Sequence, residues 1–467
     1  MTTWKRINSS KTTLMNATLY INRDEKGHRT IEVVGENPGL VDIDSNGHYP
    51  LSLENAKFLR DSLPFLNPNP LKLHTSAGTG DRLGLATPGH IEAFRGKNIA
   101  PVFAQQSVRE VIRTKRTHQR IMDDAMWGVM EKGWREPWGA DADHLKTPEE
   151  LDAYADAGFT FYTIDPGAHV RNVKNAEEAR AILERSEPDT AVLKTKADAS
   201  IERFQHIDFP KSFKRPDDSQ ILTAFVKYGK AIEHVKMMYD YLLKRIGDKP
   251  FDFEVSVDET DLPTNPFEHF YIASELKHLG VKFTSLAPRF IGRFEKGVDY
   301  IGDLVEFEAQ YKSHADVQKY FGDYKMSIHS GSDKFAIYEI CSRLSDNAIH
   351  LKTAGTSYLE ALRVIAMHEP NLIRNIMTMS LDHYETDKQS YHVSANVQKV
   401  ADPKTVKDID LPKYLDQFDA RQVLHVCFGT ILGQYDAQIK ECLINNYETY
   451  ESVLKTHFDR HLKPFAG

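Results

Sequence analysis

In residues 251–258, Phe-Asp-Phe-Glu-Val-Ser-Val-Asp, apolar and polar side chains alternate strictly. A period of two predicts a strand with Phe251, Phe253, Val255 and Val257 on one face and Asp252, Glu254, Ser256 and Asp258 on the other. Seven further runs read as strands: 71–75, 101–105, 139–144, 160–165, 282–286, 325–329 and 348–353. Segments with helical periodicity lie between them at 108–131, 147–157, 219–246, 267–279, 302–320 and 334–345, and 357–368 follows the last strand. Eight strand–helix alternations in roughly 300 residues predict a TIM (β/α)8 barrel rather than a doubly wound sheet.

The flanks read differently. Residues 1–65 form an N-terminal α/β extension, with a β-like run at 30–34 and a helix over 52–62 opened by Ser52 and Glu54. Asn67-Pro68-Asn69-Pro70 breaks the chain and opens the barrel domain, residues 66–368. A long charged stretch, 172–219, is expected to be an insertion or lid over the barrel mouth. Residues 369–467 read as a helical C-terminal cap with a loop at 386–410.

The alternation has a consequence for chemistry. A barrel strand packs one face on helices and turns the other into the lumen, so Glu254 points inward. The same parity sends Ser327, His329, His350 and Lys352 inward, together with Asp141, Asp143 and Asp165. Polar groups on a core-facing side need a reason. The run 138–144, Trp-Gly-Ala-Asp-Ala-Asp-His, has little apolar bulk and reads as the mouth of a site, where His144 breaks parity and so sits where its strand turns out.

A single histidine in a strand is more often structural than a ligand, but three that converge change the reading. His144, His329 and His350 offer nitrogen donors for one borderline divalent cation such as Zn, Mn, Ni or Co, with His350 the deepest. Asp143 and Glu254, inward and partly desolvated, are expected to carry raised pKa values and to move a proton from roughly opposite walls. The competing reading of Glu254 is that it only neutralises Lys352. Ser330-Gly331-Ser332-Asp333-Lys334 opens a helix, and with Arg82, Arg289 and Lys352 it suggests a small acidic substrate, a phosphate or a carboxylate. Gly78-Thr-Gly-Asp-Arg-Leu-Gly84 does not have dinucleotide-site spacing.

The composition narrows the partners. A net charge of -8 and a pI near 6.2 argue against nucleic acid and anionic membrane, and the run Arg113, Lys115, Arg116, Arg120 reads as a solvated helix face. The three cysteines are too few and scattered for a disulfide framework, and no stretch has the character of a signal peptide or membrane helix. A reducing cytoplasm is the expected location.

Eight motifs also occur together: SAGTGDRLGLATPGH (76–90), FAQQSVRE (103–110), GADADH (139–144), TIDP (163–166), FEVSVDET (253–260), APRFIGRFEKGVDYIGDL (287–304), SIHSGSDKF (327–335) and HLKTAGTSYLEALRVI (350–365). In this order they resemble the tagaturonate epimerase family, bacterial enzymes of hexuronate breakdown, over roughly residues 70–465. The resemblance implies a metal-dependent isomerase that interconverts D-tagaturonate and D-fructuronate on the route from galacturonate and pectin. It implies an acid/base pair at Asp143 and Glu254, and a divalent cation on His144, His329 and, as third ligand, His350. Its partner is then a small hexuronate ketose, and homo-oligomerisation is left open. Because the carbon that inverts lies β to the ketone, simple enolisation does not reach its hydrogen. Retro-aldol cleavage and re-addition does, alongside direct deprotonation and reprotonation. Charge assigns the substrate carboxylate to Lys352, Arg289 or the helix opening at Ser332. Two rivals stand beside this reading: a zinc-dependent class II ketose-phosphate aldolase, and a silent sugar-acid-binding barrel that would lack the acid/base carboxylates.

Overall fold

Eight parallel strands close into a barrel in the computed structural model, which describes residues 3–185, 190–210 and 213–466. Before the barrel come β1 (Trp4–Leu14), β2 (Ala17–Asp24), β3 (Arg29–Gly35) and β4 (His48–Tyr49), an antiparallel sheet in that order. The sequence reading found only part of β3. In β1 the alternation is carried by Ser, Thr and Lys, a bulge between Ile7 and Thr12 interrupts it, and little apolar bulk marks the buried side. The sheet nevertheless buries Leu14, Leu19, Ile21 and Ile31 and contacts helix His118–Glu131. Helix Leu53–Ser62 forms as predicted, with the Ser52 hydroxyl accepting from the Asn55 amide.

The barrel strands are β5 (Ser76–Thr79), β6 (Ala100–Ser107), β7 (Gly139–Leu145), β8 (Phe161–Ile164), β9 (Asp252–Ser256), β10 (Ser285–Ala287), β11 (Lys325–Ile328) and β12 (Ile349–Thr353). Each pairs with the next, and β12 closes on β5. The first strand is 76–79, not 71–75. Leu71 and Lys72 are a turn at the barrel floor whose amides the Asp252 carboxylate accepts, whereas Ser-Ala-Gly-Thr is buried on both faces and has no bulk to announce it. Smallness is required there, since a Cβ on Gly78 would lie 2.5 Å from the Gln105 amide oxygen. The single helix expected over 108–131 is two, Val108–Thr114 and His118–Glu131, broken at left-handed Lys115 and restarted by the Thr117 cap.

After helix Thr356–His368 the cap is helical as expected: Pro370–Asp387, Phe418–Val426, Phe428–Asn445 and Tyr447–Leu462. The last of these packs on helices Thr87–Phe94 and Thr356–His368, so the chain end is part of the barrel's wall. Among the described residues of the 172–219 stretch, none lines the cavities at the barrel mouth. Helices Ala176–Glu184 and Thr190–His206 lie against helix Asp218–Ile246, and Phe204 stacks on Tyr271 at the barrel's outside. Amphipathic helices with one apolar stripe find a partner on the outer ring, which the charge count alone did not reveal. Among the described residues, no helix is long and apolar enough to cross a membrane.

Candidate active site

The parity conflict at His144 is resolved by the backbone. His144 takes a left-handed φ of 59°, and the pairing of β7 with β8 skips between Ala142 and Leu145. The bulge keeps Asp143 in the lumen and turns His144 into the mouth as well, so consecutive residues serve one site. A non-glycine residue at positive φ is a local strain that persists where the surroundings fix it.

Lys352 organises the lumen. From β12 it reaches across to β7, β8 and β9, with its Nζ 2.9 Å from Asp141, 2.7 Å from Asp143, 2.6 Å from the Thr163 hydroxyl and 2.9 Å from Glu254. All these groups are buried. Asp143 on β7 and Glu254 on β9 therefore flank β8 and share one ammonium, rather than standing on opposite walls. Their acidity also runs opposite to expectation. Burial alone would raise both, but Lys352 and the two neighbouring imidazoles hold Asp143 well below the usual carboxylate range, and Lys352 and His329 do the same for Glu254. Asp141, the deepest of the three, is lifted by burial to about 6 despite Lys352.

His329 and His144 stand above this group with ring centroids 5.0 Å apart. His329 Nε2 lies 2.6 Å from Glu254 Oε1, and its Nδ1 is 3.2 Å from Asp258. His144 Nδ1 lies 3.5 Å from Asp165, and its Nε2 is 3.8 Å from Asp143. Ligand atoms of Asp143, His144 and His329 all fall within 4.8 Å of one another. Two imidazoles and a carboxylate, with Asp165 and Asp258 behind the rings to orient them, match the donor set of a borderline divalent cation. The imidazoles sit among so much negative charge that, without another cation, they hold protons up to about 10 and about 9, against the penalty of burial. The residues present fit a metal ion.

His350 does not join them. It lies a layer deeper, its Nδ1 2.9 Å from the Ser76 hydroxyl and its ring against Phe161, and burial keeps it neutral. An inward histidine two residues before Lys352 shares its face but not its depth.

Above these candidate ligands lie two adjoining cavities of about 320 and 340 Å³ that share Arg109, Glu259, Lys296, His329, Ser330 and Tyr391. Arg82 and Ser332 line the first, and Arg82 is tied to Glu110 at 2.8 Å with its guanidinium 3.7 Å over Phe428. Arg289 lines only the second. The helix after Ser332 is not a free anion seat: the Asp333, Lys334 and Ala336 amides already donate to His461, Tyr338 and Asp299. Its Lys334 ammonium points away, to the carbonyls of Glu295, Val298 and Ser332.

A model of the tagaturonate epimerase family, UxaE, matches residues 9–465. The chain belongs to the tagaturonate epimerase family. A tagaturonate/fructuronate epimerase from Thermotoga maritima is 45% identical over 425 residues, 89% of this chain and 85% of that one. The native crystal structure of the fructuronate-tagaturonate epimerase UxaE from Cohnella laeviribosi superposes with a TM-score of 0.91 at 33% identity, covering 99% of this chain and 96% of that one. A glycerol complex of the same Cohnella enzyme also gives a TM-score of 0.91 at 33% identity and the same coverage.

In this member of the tagaturonate epimerase family, the residues that sequence reasoning missed come from loops and from the cap. Asp258 and Glu259 end the β9 motif, Lys296 lies in the loop after β10, and Tyr391 and His425 arrive from the C-terminal segment. Only Asp258 carried a signal, the continued alternation past Glu254.

Proposed function

We propose that this protein is a metal-dependent epimerase that interconverts D-tagaturonate and D-fructuronate. The observation that carries the reading is the buried Lys352 ammonium held between Asp143 and Glu254 directly beneath His144 and His329. Two ionised carboxylates share one fixed cation, with Asp143 lining a cavity the size of a small sugar acid and Glu254 buried just beneath it, which suits proton transfer to and from a substrate hydroxyl. Family membership and the likeness to epimerases along nearly the whole chain support the substrate pair.

His144 and His329 are the nitrogen donors we assign to the cation, with the Asp143 carboxylate beside them. When bound there, a divalent cation polarises the ketone and eases opening of the neighbouring carbon–carbon bond. Asp143 and Glu254 are the acid/base pair. One takes the proton of the 4-hydroxyl as the C3–C4 bond opens to an enediolate and an aldehyde, the aldehyde turns its other face, and the bond re-forms as the proton returns. Lys352 keeps the carboxylate that has not taken the proton charged and fixed. Thr163 and Asp141 hold the ammonium from behind. Asp165 and Asp258 set the orientation of the two imidazoles. The free, buried cysteines support a reducing cytoplasm as the working compartment.

The test is proton NMR of D-tagaturonate with purified protein, before and after chelation and after Zn, Mn, Ni or Co is restored. Metal-dependent appearance of D-fructuronate is expected. Accumulation of three-carbon fragments, or no turnover with any metal, overturns the reading.

A further inference from the structure

Five cationic side chains line the cavity above Asp143 and His144: Arg82, Arg109, Lys146, Lys296 and Lys352. Four of them face a carboxylate of the protein, with Arg82 2.8 Å from Glu110, Arg109 3.8 Å from Glu259, Lys146 3.2 Å from Asp165 and Lys352 2.7 Å from Asp143. Lys296 has none within 4.0 Å among the described residues. Its Nζ meets only the Ser330 hydroxyl, at 2.7 Å, which places the ammonium beside the residue that follows His329.

The lysine is also held in place. It sits in the loop after β10, where Arg293 and Ile301 pair as an antiparallel bridge. The neighbouring Glu295 carboxylate accepts from the Ser394 hydroxyl at 2.7 Å and from Gln422 at 3.1 Å, and the Gly297 carbonyl accepts from Arg421 at 2.7 Å. The C-terminal cap thus fixes the backbone on both sides of a half-buried cation that lacks a counter-charge. A positioned ammonium without an ion pair, in a cavity whose other lysines and arginines each face a carboxylate, is a receptor for an anionic group of the ligand.

We propose that Lys296 is the specificity-determining residue that receives the substrate's carboxylate, in place of Arg289, Lys352 or the helix at Ser332. The inference rests on the hexuronate reading above. The carboxylate of a hexuronate ketose lies two carbons beyond the carbon that inverts, so Lys296 beside Ser330 holds the acid end while the reacting carbon faces Asp143 and Glu254. Lys296 touches substrate without taking part in bond making.

The experiment compares wild type, Lys296→Met, Lys296→Arg and Arg289→Met on D-tagaturonate and on D-tagatose, the neutral ketose with a hydroxymethyl in place of the carboxylate. Inhibition by D-glycerate and by glycerol gives the same contrast where turnover of tagatose is too slow to follow. For Lys296→Met we expect KM for tagaturonate to rise at least 30-fold with kcat changed less than tenfold, while the parameters for tagatose stay within threefold. Glycerate should then inhibit no better than glycerol. Lys296→Arg should restore part of the preference, and Arg289→Met should leave it within threefold. Equal loss on both ketoses marks a structural role and overturns the proposal, as does an unchanged acid preference in Lys296→Met or its collapse in Arg289→Met. Failure of the wild type on tagaturonate, by contrast, strikes the hexuronate reading itself.

Discussion

Lys352→Met removes the one ammonium that Asp141, Asp143 and Glu254 share, at 2.9, 2.7 and 2.9 Å, with the lysine and all three carboxylates buried. Removing one partner of a buried ion pair costs about 3–5 kcal/mol, because the other charge is left uncompensated in low dielectric. Protonation of Asp141, already lifted to about 6, relieves part of that cost and keeps the variant at this scale rather than three times it. For 467 residues, an unfolding entropy of about 2.1 cal/mol/K per residue gives about 1 kcal/mol per degree, so Tm should fall by about 3–5 °C. The catalytic effect is larger. With the ammonium gone, the carboxylates repel and lose their shared geometry, and we expect kcat to fall at least about 10³-fold. Lys352→Arg should not rescue it, since a planar fork cannot replace a point charge that meets four oxygens in a closed space. Differential scanning calorimetry and the NMR epimerase assay read the two effects. Added divalent cation should reduce the loss of Tm, as a second source of positive charge. Unchanged Tm together with kcat within tenfold of wild type would refute the central role of this lysine.

Three further outcomes follow from the same geometry. His144→Ala and His329→Ala should each lower bound metal, read by elemental analysis after dialysis, at least tenfold, whereas His350→Gln should keep metal stoichiometry and lower only Tm; equal metal loss in all three would restore His350 to the ligand set. Asp143→Asn and Glu254→Gln should each cut kcat by about 10²–10⁴-fold with small changes in KM, and a large KM effect at constant kcat would point to binding instead. Stability should fall as pH drops below about 6.5, because burial holds His90 at about 4 and His314 and His461 at about 3. Their folded pKa values lie below the unfolded one, so the unfolded chain takes up protons first and each histidine subtracts about 1.4 kcal/mol per pH unit. Asp141 titrates in the opposite sense near 6, and burial also raises Asp123, Asp124, Asp252 and Glu451, but His269, His350 and His425 are pushed well down in the same sense as the three histidines. A denaturation midpoint that is flat from pH 7.5 to 5 would contradict this.

The barrel was legible because its lumen is polar. Alternation in 251–258 set the inward face of β9, and the same parity brought His329, Lys352, Asp141 and Asp143 to one space, which is where they stand. Parity fixes direction but not depth. His350 and Lys352 share a face of β12, yet Lys352 stands two residues nearer the mouth and reaches Asp143, while His350 stops at Ser76. Depth depends on the stagger between strands, a property of pairing that no single strand contains. The same limit explains β5, where Ser-Ala-Gly-Thr is a strand because Gln105 and the neighbouring strands leave no room for larger residues.

Lys296 shows a different limit. Neither its neighbours Glu295 and Gly297 nor any periodicity marks it, and in sequence it is one of 59 lysines and arginines, most of which could be supposed solvated. Its meaning is a subtraction that only three dimensions allow. Once Glu110, Glu259, Asp165 and Asp143 have each been matched to the cation they face, a single ammonium in the cavity is left over. Charge in a binding site informs by what is not neutralised, and neutralisation here is arranged between residues 19 to 209 positions apart. The acid end of the substrate is therefore read from the residual charge of the assembled cavity, and the cap that holds Glu295 and Gly297 decides where that charge stands.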